Sequence, residues 1–174
     1  DITPDILLGD LDSIAPDNLA KYKEKGIAIT QHPTRKDATD LELSLDLAVA
    51  KGSQIIWLIG ALGGRWDMSL ANIMVAASDK YKERKIFLLG HDCSMQILHP
   101  GKIHQISGMP EQKVSLLPLK NDVHGVTLSG FEYSLAKQRI SFGSTLGVSN
   151  ILKTNQATVQ HDKGVLLCVL FDPK

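Results

Sequence analysis

The chain has 174 residues, 43% of them hydrophobic, and its 19 basic and 19 acidic side chains give a formal net charge of zero. This length and composition suit a globular protein of one domain or two small ones with a substantial core. The balanced charge excludes a strong basic field for nucleic acid or anionic lipid, and no apolar run is long enough to cross a membrane.

The first half alternates between strand and helix patterns, which is typical of an α/β domain with a parallel sheet and right-handed crossovers. The run at residues 54–59, which includes Trp57, is apolar enough to predict a strand buried on both faces. In chain order the expected elements are a strand at residues 5–8, a helix at 17–25, a strand at 27–30, a helix at 37–51, a strand at 54–59, a helix at 68–81 and a strand at 85–89.

The second half changes character after Gly90, because no long helical period follows it. Short apolar runs separated by turn signals, such as Pro100-Gly101 and Ser129-Gly130, predict an all-β sandwich or barrel. We therefore expect an α/β domain at residues 1–92 and a β domain at residues 93–174. The expected strands are residues 94–99, 103–107, 113–118, 125–129, 133–135, 140–142, 158–161 and 165–171.

Asp10 and Asp12 follow the first strand, after Gly9. In extended chain, residues two apart point to the same side, so both carboxylates could bind one hard cation that keeps ligand positions for water and phosphate. The alternative is an acidic β-turn followed by a helix-capping serine.

Three more aspartates, Asp37, Asp40 and Asp67, are predicted near helix starts on the same rim of the sheet. Together with Asp10 and Asp12 they would repel one another unless a divalent cation and a phosphate chain lay among them. The simpler interpretation of each is a helix-start acid favoured by the helix dipole. A capping box could use Asp37 with Asp40, or Thr39 with Glu42.

A glycine-rich loop, residues 60–65, joins a predicted strand to a predicted helix. Free backbone N–H groups at Gly63 and Gly64 could cradle phosphate, and Arg65 could bind it bidentately. Lys36 could supply a second phosphate contact. A tight turn and a solvated lysine are the alternatives, and the loop is neither a Walker P-loop nor a dinucleotide fingerprint.

Three separated motifs, read together, resemble thiamine pyrophosphokinase. They are Gly9-Asp10-Leu11-Asp12-Ser13, Lys36-Asp37-Ala38-Thr39-Asp40 and Gly63-Gly64-Arg65-Trp66-Asp67. The resemblance continues through Asn72 and, in the β half, through residues 127–135 and 147–150, so it covers nearly the whole chain.

The resemblance implies transfer of pyrophosphate from ATP to the hydroxyl of thiamine, giving thiamine diphosphate and AMP. It also implies Mg²⁺, an N-terminal α/β domain with a C-terminal β-sandwich, and a homodimer that holds thiamine between the two halves of different subunits. Cys93 and Cys168, which show no metal or redox spacing, fit a cytoplasmic location.

The resemblance also assigns roles to residues. Asp10, Asp12, Asp37 and Asp40 would hold Mg²⁺ and the phosphates, and Arg65 and Asp67 would complete the phosphate and thiamine side. By the chemistry of the attack, one aspartate near the hydroxyl could accept its proton, and Asp40 and Asp67 are the two candidates. The nucleotide side would include Lys36, Asp37, Gly63, Gly64, Arg65 and Asn72, and the thiamine side would include Tyr133, Ser149 and Asn150. From the residues alone, Tyr133 is as easily a core aromatic, and residues 143–150 as easily a long turn.

Two departures from the family pattern keep alternatives open. Met68 stands where many relatives carry a polar residue, often histidine, and the relatives have a strand, a glycine-rich turn and a helix before this chain begins. The alternatives are a pyrophosphokinase for another heterocyclic alcohol such as a pterin, and a thiamine-binding module without turnover.

Overall fold

The computed structural model describes residues 3–33 and 37–173. Its backbone separates into two compact units, Asp1–Gly52 and Ser53–Lys174. The division at residues 92 and 93 expected from the sequence stays a prediction. Among the described residues, no helix is both long and apolar enough to span a membrane.

The first unit contains two strands and two helices. Its strands pair in parallel, with Ile6 opposite Ala28. Thr39 caps the second helix by accepting a hydrogen bond from the backbone N–H of Glu42 at 3.3 Å, so of the two expected capping pairs the structure uses this one. The elements are β1 (Ile6–Gly9), α1 (Pro16–Glu24), β2 (Ala28–Gln31) and α2 (Asp40–Ala50).

The second unit opens with β3 (Ile55–Ile59), α3 (Trp66–Ala76), a short 3-10 helix (Asp79–Tyr81) and β4 (Lys85–Leu89). Strands β3 and β4 are parallel. The helix expected to reach residue 81 ends earlier, because the Ser78 hydroxyl accepts a hydrogen bond from the N–H of Lys80 and starts the separate 3-10 turn.

The expectation that residues 54–59 are buried on both faces is wrong. Side chains alternate across β3, and those of Ile55, Trp57 and Ile59 are exposed because only the opposite face of the strand is packed. Trp57 is therefore not a core residue. Its ring stacks on that of Phe87, with the centroids 4.2 Å apart.

The rest of the unit is all β, as expected. Antiparallel pairing of β4 with β5 extends one sheet across six strands in the order β10-β7-β12-β5-β4-β3, and the second sheet has the order β6-β11-β8-β9. The strands are β5 (Cys93–Leu98), β6 (Ile103–Ser107), β7 (Lys113–Pro118), β8 (Val123–Ser129), β9 (Leu135–Ile140), β10 (Asn150–Ile151), β11 (Gln156–Gln160) and β12 (Leu166–Phe171).

One buried cluster holds the two sheets together. It combines residues of the six-stranded sheet, such as Leu116 and Leu166, with residues of the four-stranded sheet, such as Val126 and Val159. The two strands expected at residues 133–135 and 140–142 are in fact the single strand β9, so Tyr133 precedes a strand instead of beginning one. Burial of such apolar side chains is the main favourable term in folding.

Candidate functional site

Asp10 and Asp12 lie together at the end of β1, but not for the reason that the sequence suggests. The chain between them is not extended, because Leu11 adopts a left-handed conformation with φ of 64°. This turn brings the N–H of Asp12 to 3.3 Å from Oδ1 of Asp10. A left-handed non-glycine residue costs roughly 1–2 kcal/mol, which marks the turn as a strained segment.

Asp40, at the start of α2, joins this pair. Gly9 has φ of 150°, and a Cβ atom there would lie 3.3 Å from Cγ and from Oδ2 of Asp40. The missing side chain therefore allows the Asp40 carboxylate to approach the end of β1. The hydrogen bond to Asp10 and its charge, followed by burial and the charge of Asp40, raise the pKa of Asp12.

The carboxylates of Asp10, Asp12 and Asp40 are close enough together to ask whether they could bind a divalent cation. Among residues 3–33 and 37–173, no three Asp, Glu, His or Cys side chains already surround one point as a metal site would require. Mg²⁺, however, is usually held by one or two carboxylates together with substrate phosphates and water. Asp10 and Asp12 supply such a pair, and their mutual repulsion would be relieved by the ion.

The remaining predicted residues of the first unit are not drawn into this group by any described contact. Asp37 is exposed in the bend directly before α2. Lys36 lies outside the described residues, so its contact with phosphate stays a prediction.

The glycine-rich loop before α3 is shaped by two successive left-handed residues, Gly63 with φ of 110° and Gly64 with φ of 64°. The N–H of Gly63 donates to the Ser69 hydroxyl at 3.0 Å, and Nδ2 of Asn72 donates to the carbonyl of Ala61 at 2.8 Å. Ser69 and Asn72 are both buried. Asn72 thus holds the loop in place, and sequence reasoning missed Ser69, whose only signal is its position one turn into α3.

Arg65 and Asp67 pair with each other at the entrance to α3. The guanidinium donates from Nε to Oδ1 at 3.1 Å and from a terminal nitrogen to Oδ2 at 2.5 Å. Hydrogen bonding to Arg65 is the largest cause of the lowered pKa of Asp67. Both side chains are mostly exposed, so the pair is open to an incoming phosphate.

A cavity of about 430 Å³ borders this loop. Its lining includes Gly63, Gly64 and Trp66 from the loop and α3, together with His91 and Asp92 from the turn after β4. The two turn residues were not expected at the site, and nothing in their spacing indicates a role. Met68, exposed on α3, is not among the residues that line this cavity.

In the β half, the structure joins Tyr133 to Asn150. The Asn150 amide is buried and bonds to the backbone of Tyr133 in both directions, while the Tyr133 residue is 64% exposed. Tyr133 is therefore not a core aromatic, which decides between the two interpretations of the sequence.

Ser149 is held just before Asn150. It has φ of 59°, and its N–H donates to the hydroxyl of the buried Ser115 at 3.0 Å. Ser115 was not expected at the site. Both serines border a cavity of about 610 Å³ whose other lining residues include Met109, Val148 and Phe171; Tyr133 does not line it.

Comparison with known proteins connects these features. A family model described as "Thiamin pyrophosphokinase, catalytic domain" matches residues 1–88, and one described as "Thiamin pyrophosphokinase, vitamin B1 binding domain" matches residues 102–166. The first match includes the acidic group and the glycine-rich loop. The second includes Tyr133, Ser149 and Asn150.

Two relatives align with almost the whole chain. The chain is 33% identical to thiamine pyrophosphokinase of Bacillus subtilis over 168 residues, which is 97% of this chain and 78% of that protein. It is 32% identical to thiamine pyrophosphokinase 1 of Arabidopsis thaliana over 174 residues, 94% of this chain and 64% of that protein. The chain thus spans about two thirds to four fifths of the length of these relatives.

Solved structures agree with the fold. The crystal structure of thiamine pyrophosphokinase from Bacillus subtilis superposes with a TM-score of 0.87 at 32% identity, over 99% of this chain and 81% of that chain. Thiamin pyrophosphokinase from Candida albicans superposes with a TM-score of 0.76, over 98% of this chain and 75% of that chain. Its identity of 16% supports the fold alone.

Proposed function

The chain belongs to the thiamine pyrophosphokinase family, and we propose that it transfers the pyrophosphoryl group of ATP to the hydroxyl of thiamine, giving thiamine diphosphate and AMP. The family is one of ATP-dependent pyrophosphotransferases that bind ATP and thiamine. The single observation that carries the proposal is the meeting of Asp10, Asp12 and Asp40 at the end of β1, with the pKa of Asp12 raised by the other two.

We propose that Asp10 and Asp12 hold Mg²⁺ on the phosphates of ATP, with Asp40 and Asp37 beside it. The bound ion would neutralise charge that develops on the transferring phosphoryl group. The contribution of the chain is to keep the carboxylates in place before the ion arrives. Gly9 does so by leaving room for Asp40, and Leu11 does so by turning Asp12 back toward Asp10.

The hydroxyl of thiamine must lose a proton as it attacks the β-phosphorus, and the two candidate acceptors are Asp40 and Asp67. Pairing with Arg65 lowers the pKa of Asp67 and so makes it a weaker base in the free protein. Both residues stay candidates for the acceptor, and Asp67 could serve only after phosphate binding releases it from Arg65.

The glycine-rich loop would bind phosphate with the backbone N–H of Gly64 and with the guanidinium of Arg65, because the N–H of Gly63 already donates to the hydroxyl of the buried Ser69 at 3.0 Å. The support for this proposal is the left-handed backbone at Gly64 together with the exposed guanidinium. Asn72 would take part by anchoring the loop through the carbonyl of Ala61.

Tyr133 and Ser149 would form the thiamine side. The exposed ring of Tyr133 can offer its face to the positively charged thiazolium, an attraction of roughly 0.5–2 kcal/mol depending on desolvation. Ser149 borders a mostly apolar cavity of a size that suits a small heterocycle. The two free, buried cysteines are compatible with the cytoplasmic location that we also propose.

The reaction can be tested by incubating the protein with ATP, Mg²⁺ and thiamine and measuring AMP and thiamine diphosphate. We expect stoichiometric formation of both, and loss of both when EDTA removes the metal. Formation of AMP with a hydroxymethyl-pterin but not with thiamine would instead identify the alternative acceptor. Thiamine binding in calorimetry without any AMP would identify a binding module and contradict the proposed turnover.

We further propose a homodimer in which the acidic group of one protomer and the β half of its partner serve the same thiamine. A mixture of Asp12→Asn and Asn150→Ala chains, assayed at thiamine well below the raised KM of the Asn150→Ala sites, should then recover up to about a quarter of wild-type activity, because random pairing makes half of the dimers mixed and each has one intact site. The shared site would be contradicted if the activity of the mixture were no greater than the sum of the activities of the separate variants. A fully active protein that sediments as a monomer would contradict it as well.

A further inference from the structure

Asn150 makes an unusual set of hydrogen bonds for a residue expected to bind a ligand. Its Oδ1 accepts from the N–H of Tyr133 at 3.0 Å and from the N–H of Ile151 at 2.8 Å, and its Nδ2 donates to the carbonyl of Tyr133 at 2.9 Å. The residue is only 3% exposed. Both lone pairs of the amide oxygen are therefore used inside the protein.

The position of Asn150 explains why an amide is needed there. Residues 130–132 pair with residues 151–153 through backbone bonds, including Glu132 N–H to Ile151 carbonyl and Lys153 N–H to Gly130 carbonyl, both at 2.9 Å. At Asn150 the backbone pairs instead with Val114 of β7. The Asn150 side-chain amide then makes the hydrogen bonds to Tyr133 that a backbone peptide group would otherwise make. It can do so because an amide both donates and accepts hydrogen bonds.

This arrangement links the two sheets of the β half at one residue. The backbone of Asn150 belongs to the six-stranded sheet, and its side chain grips the segment that leads into β9 of the four-stranded sheet. The backbone of Tyr133 is held at both its N–H and its carbonyl, while its side chain is exposed. A ring on an ordered backbone has less conformational freedom to lose when a ligand binds.

We propose that Asn150 is a positioning residue that acts on thiamine through Tyr133 and not by contact of its own amide oxygen. This inference rests on the proposed function, in which Tyr133 recognises the thiamine heterocycle. It gives Asn150 a role in affinity for thiamine and none in phosphoryl transfer.

The decisive variant is Asn150→Asp, which is nearly isosteric. A carboxylate can still accept from the two N–H groups but cannot donate to the Tyr133 carbonyl, and it repels that oxygen. We expect the thiamine KM to rise about tenfold, with kcat and the ATP KM changing less than about twofold. In a Tyr133→Ala background, Asn150→Asp should raise the thiamine KM by less than about a further twofold, because the ring through which Asn150 acts is gone.

Asp122→Ala is the matched structural control. The Asp122 carboxylate accepts from the N–H of Phe142 at 2.8 Å, so its loss frees the segment that follows β9 just as Asn150→Asp frees the segment before it. We expect a lower melting temperature and a thiamine KM within about twofold of wild type. If Asn150→Asp does not melt cooperatively, Asn150→Ser replaces it with the same expectations.

Two results would overturn the positioning role while wild type remains active. One is a double variant in which the effects of Asn150→Asp and Tyr133→Ala on the thiamine KM multiply. The other is an unchanged thiamine KM in Asn150→Asp. Failure of the proposed function is a different result, because wild type itself would then release no AMP with thiamine. A calorimetric Kd for thiamine, measured without ATP on the same variants, should follow the KM values.

Discussion

Arg65 grips the carboxylate of Asp67 with two hydrogen bonds across a single intervening residue, at the first turn of α3. Both partners are mostly exposed, so the pair contributes little to folding stability. Its effect is to hold the guanidinium fork at the mouth of the glycine-rich loop.

Arg65→Gln should raise the ATP KM about tenfold or more, since a bidentate phosphate contact is lost, with a melting temperature within about 2 °C of wild type. The pKa of Asp67, followed by NMR, should rise toward its ordinary value. Arg139→Gln is the control, because it removes the Arg139–Asp122 pair of the β half. An unchanged ATP KM in Arg65→Gln would remove Arg65 from the phosphate site.

Asp12→Asn should lower kcat by about a hundredfold or more at saturating Mg²⁺, because a metal ligand loses its charge. Asp10 is the main cause of the raised pKa of Asp12, so the charged form of the Asp12 carboxylate is disfavoured in the free protein. The metal-free variant should therefore melt at the same temperature as wild type or higher. Asp17→Asn, on the exposed start of α1, is the control and should stay active. Normal Mg²⁺-dependent turnover by Asp12→Asn would contradict the metal role.

Tyr133→Ala should raise the thiamine KM about threefold to thirtyfold and leave kcat and the ATP KM nearly unchanged, because a cation–π contact binds substrate and transition state alike. Tyr133→Phe should be mild. Phe142→Ala, at a similarly exposed aromatic after β9, is the control for loss of a surface ring. A fall of several degrees in melting temperature with equal loss of affinity for both substrates would show that Tyr133 is structural.

The buried side chain of His161 should make the free energy of unfolding of the protein depend on pH. It is fully buried with its ring stacked on His104, and burial, with the charges of His104 and His99, lowers its pKa to about 4. Between pH 6.5 and 4 the unfolded chain therefore takes up a proton that the folded chain does not. The free energy of unfolding should fall by about 3 kcal/mol as the pH falls through this range, and none of this loss should occur above it.

Chemical denaturation from pH 7.5 to 4 measures that slope. His99 and His104 have lowered pKa values as well, so they should add to the loss in the same direction. His161→Leu should flatten the profile by the amount assigned to His161. His124→Leu, at an exposed position of β8, is the control for the loss of an imidazole. A wild-type profile that stays level down to pH 4.5 would refute the assignment.

The sequence determined most of the elements of this protein, because hydrophobic periodicity reports which faces are buried, and glycine, proline and capping residues report where elements end. Strands β6 and β7 lie where short apolar runs between turn signals predict them. The ordered motifs around Asp10, Asp40 and Arg65 also sufficed to indicate the family. Periodicity was less informative for β3, where an apolar run has one exposed face.

Tertiary structure alone decided what these residues contact. Asp40 meets Gly9 across 31 residues of sequence only because β1 and α2 pack together, and Leu11 adopts a conformation that its residue type disfavours. The bonds from Asn150 to Tyr133 depend on where the pairing of residues 130–132 with 151–153 stops and β10 turns to β7. Such contacts follow from strand register and from the packing of distant segments, and a local pattern of residues does not encode either one.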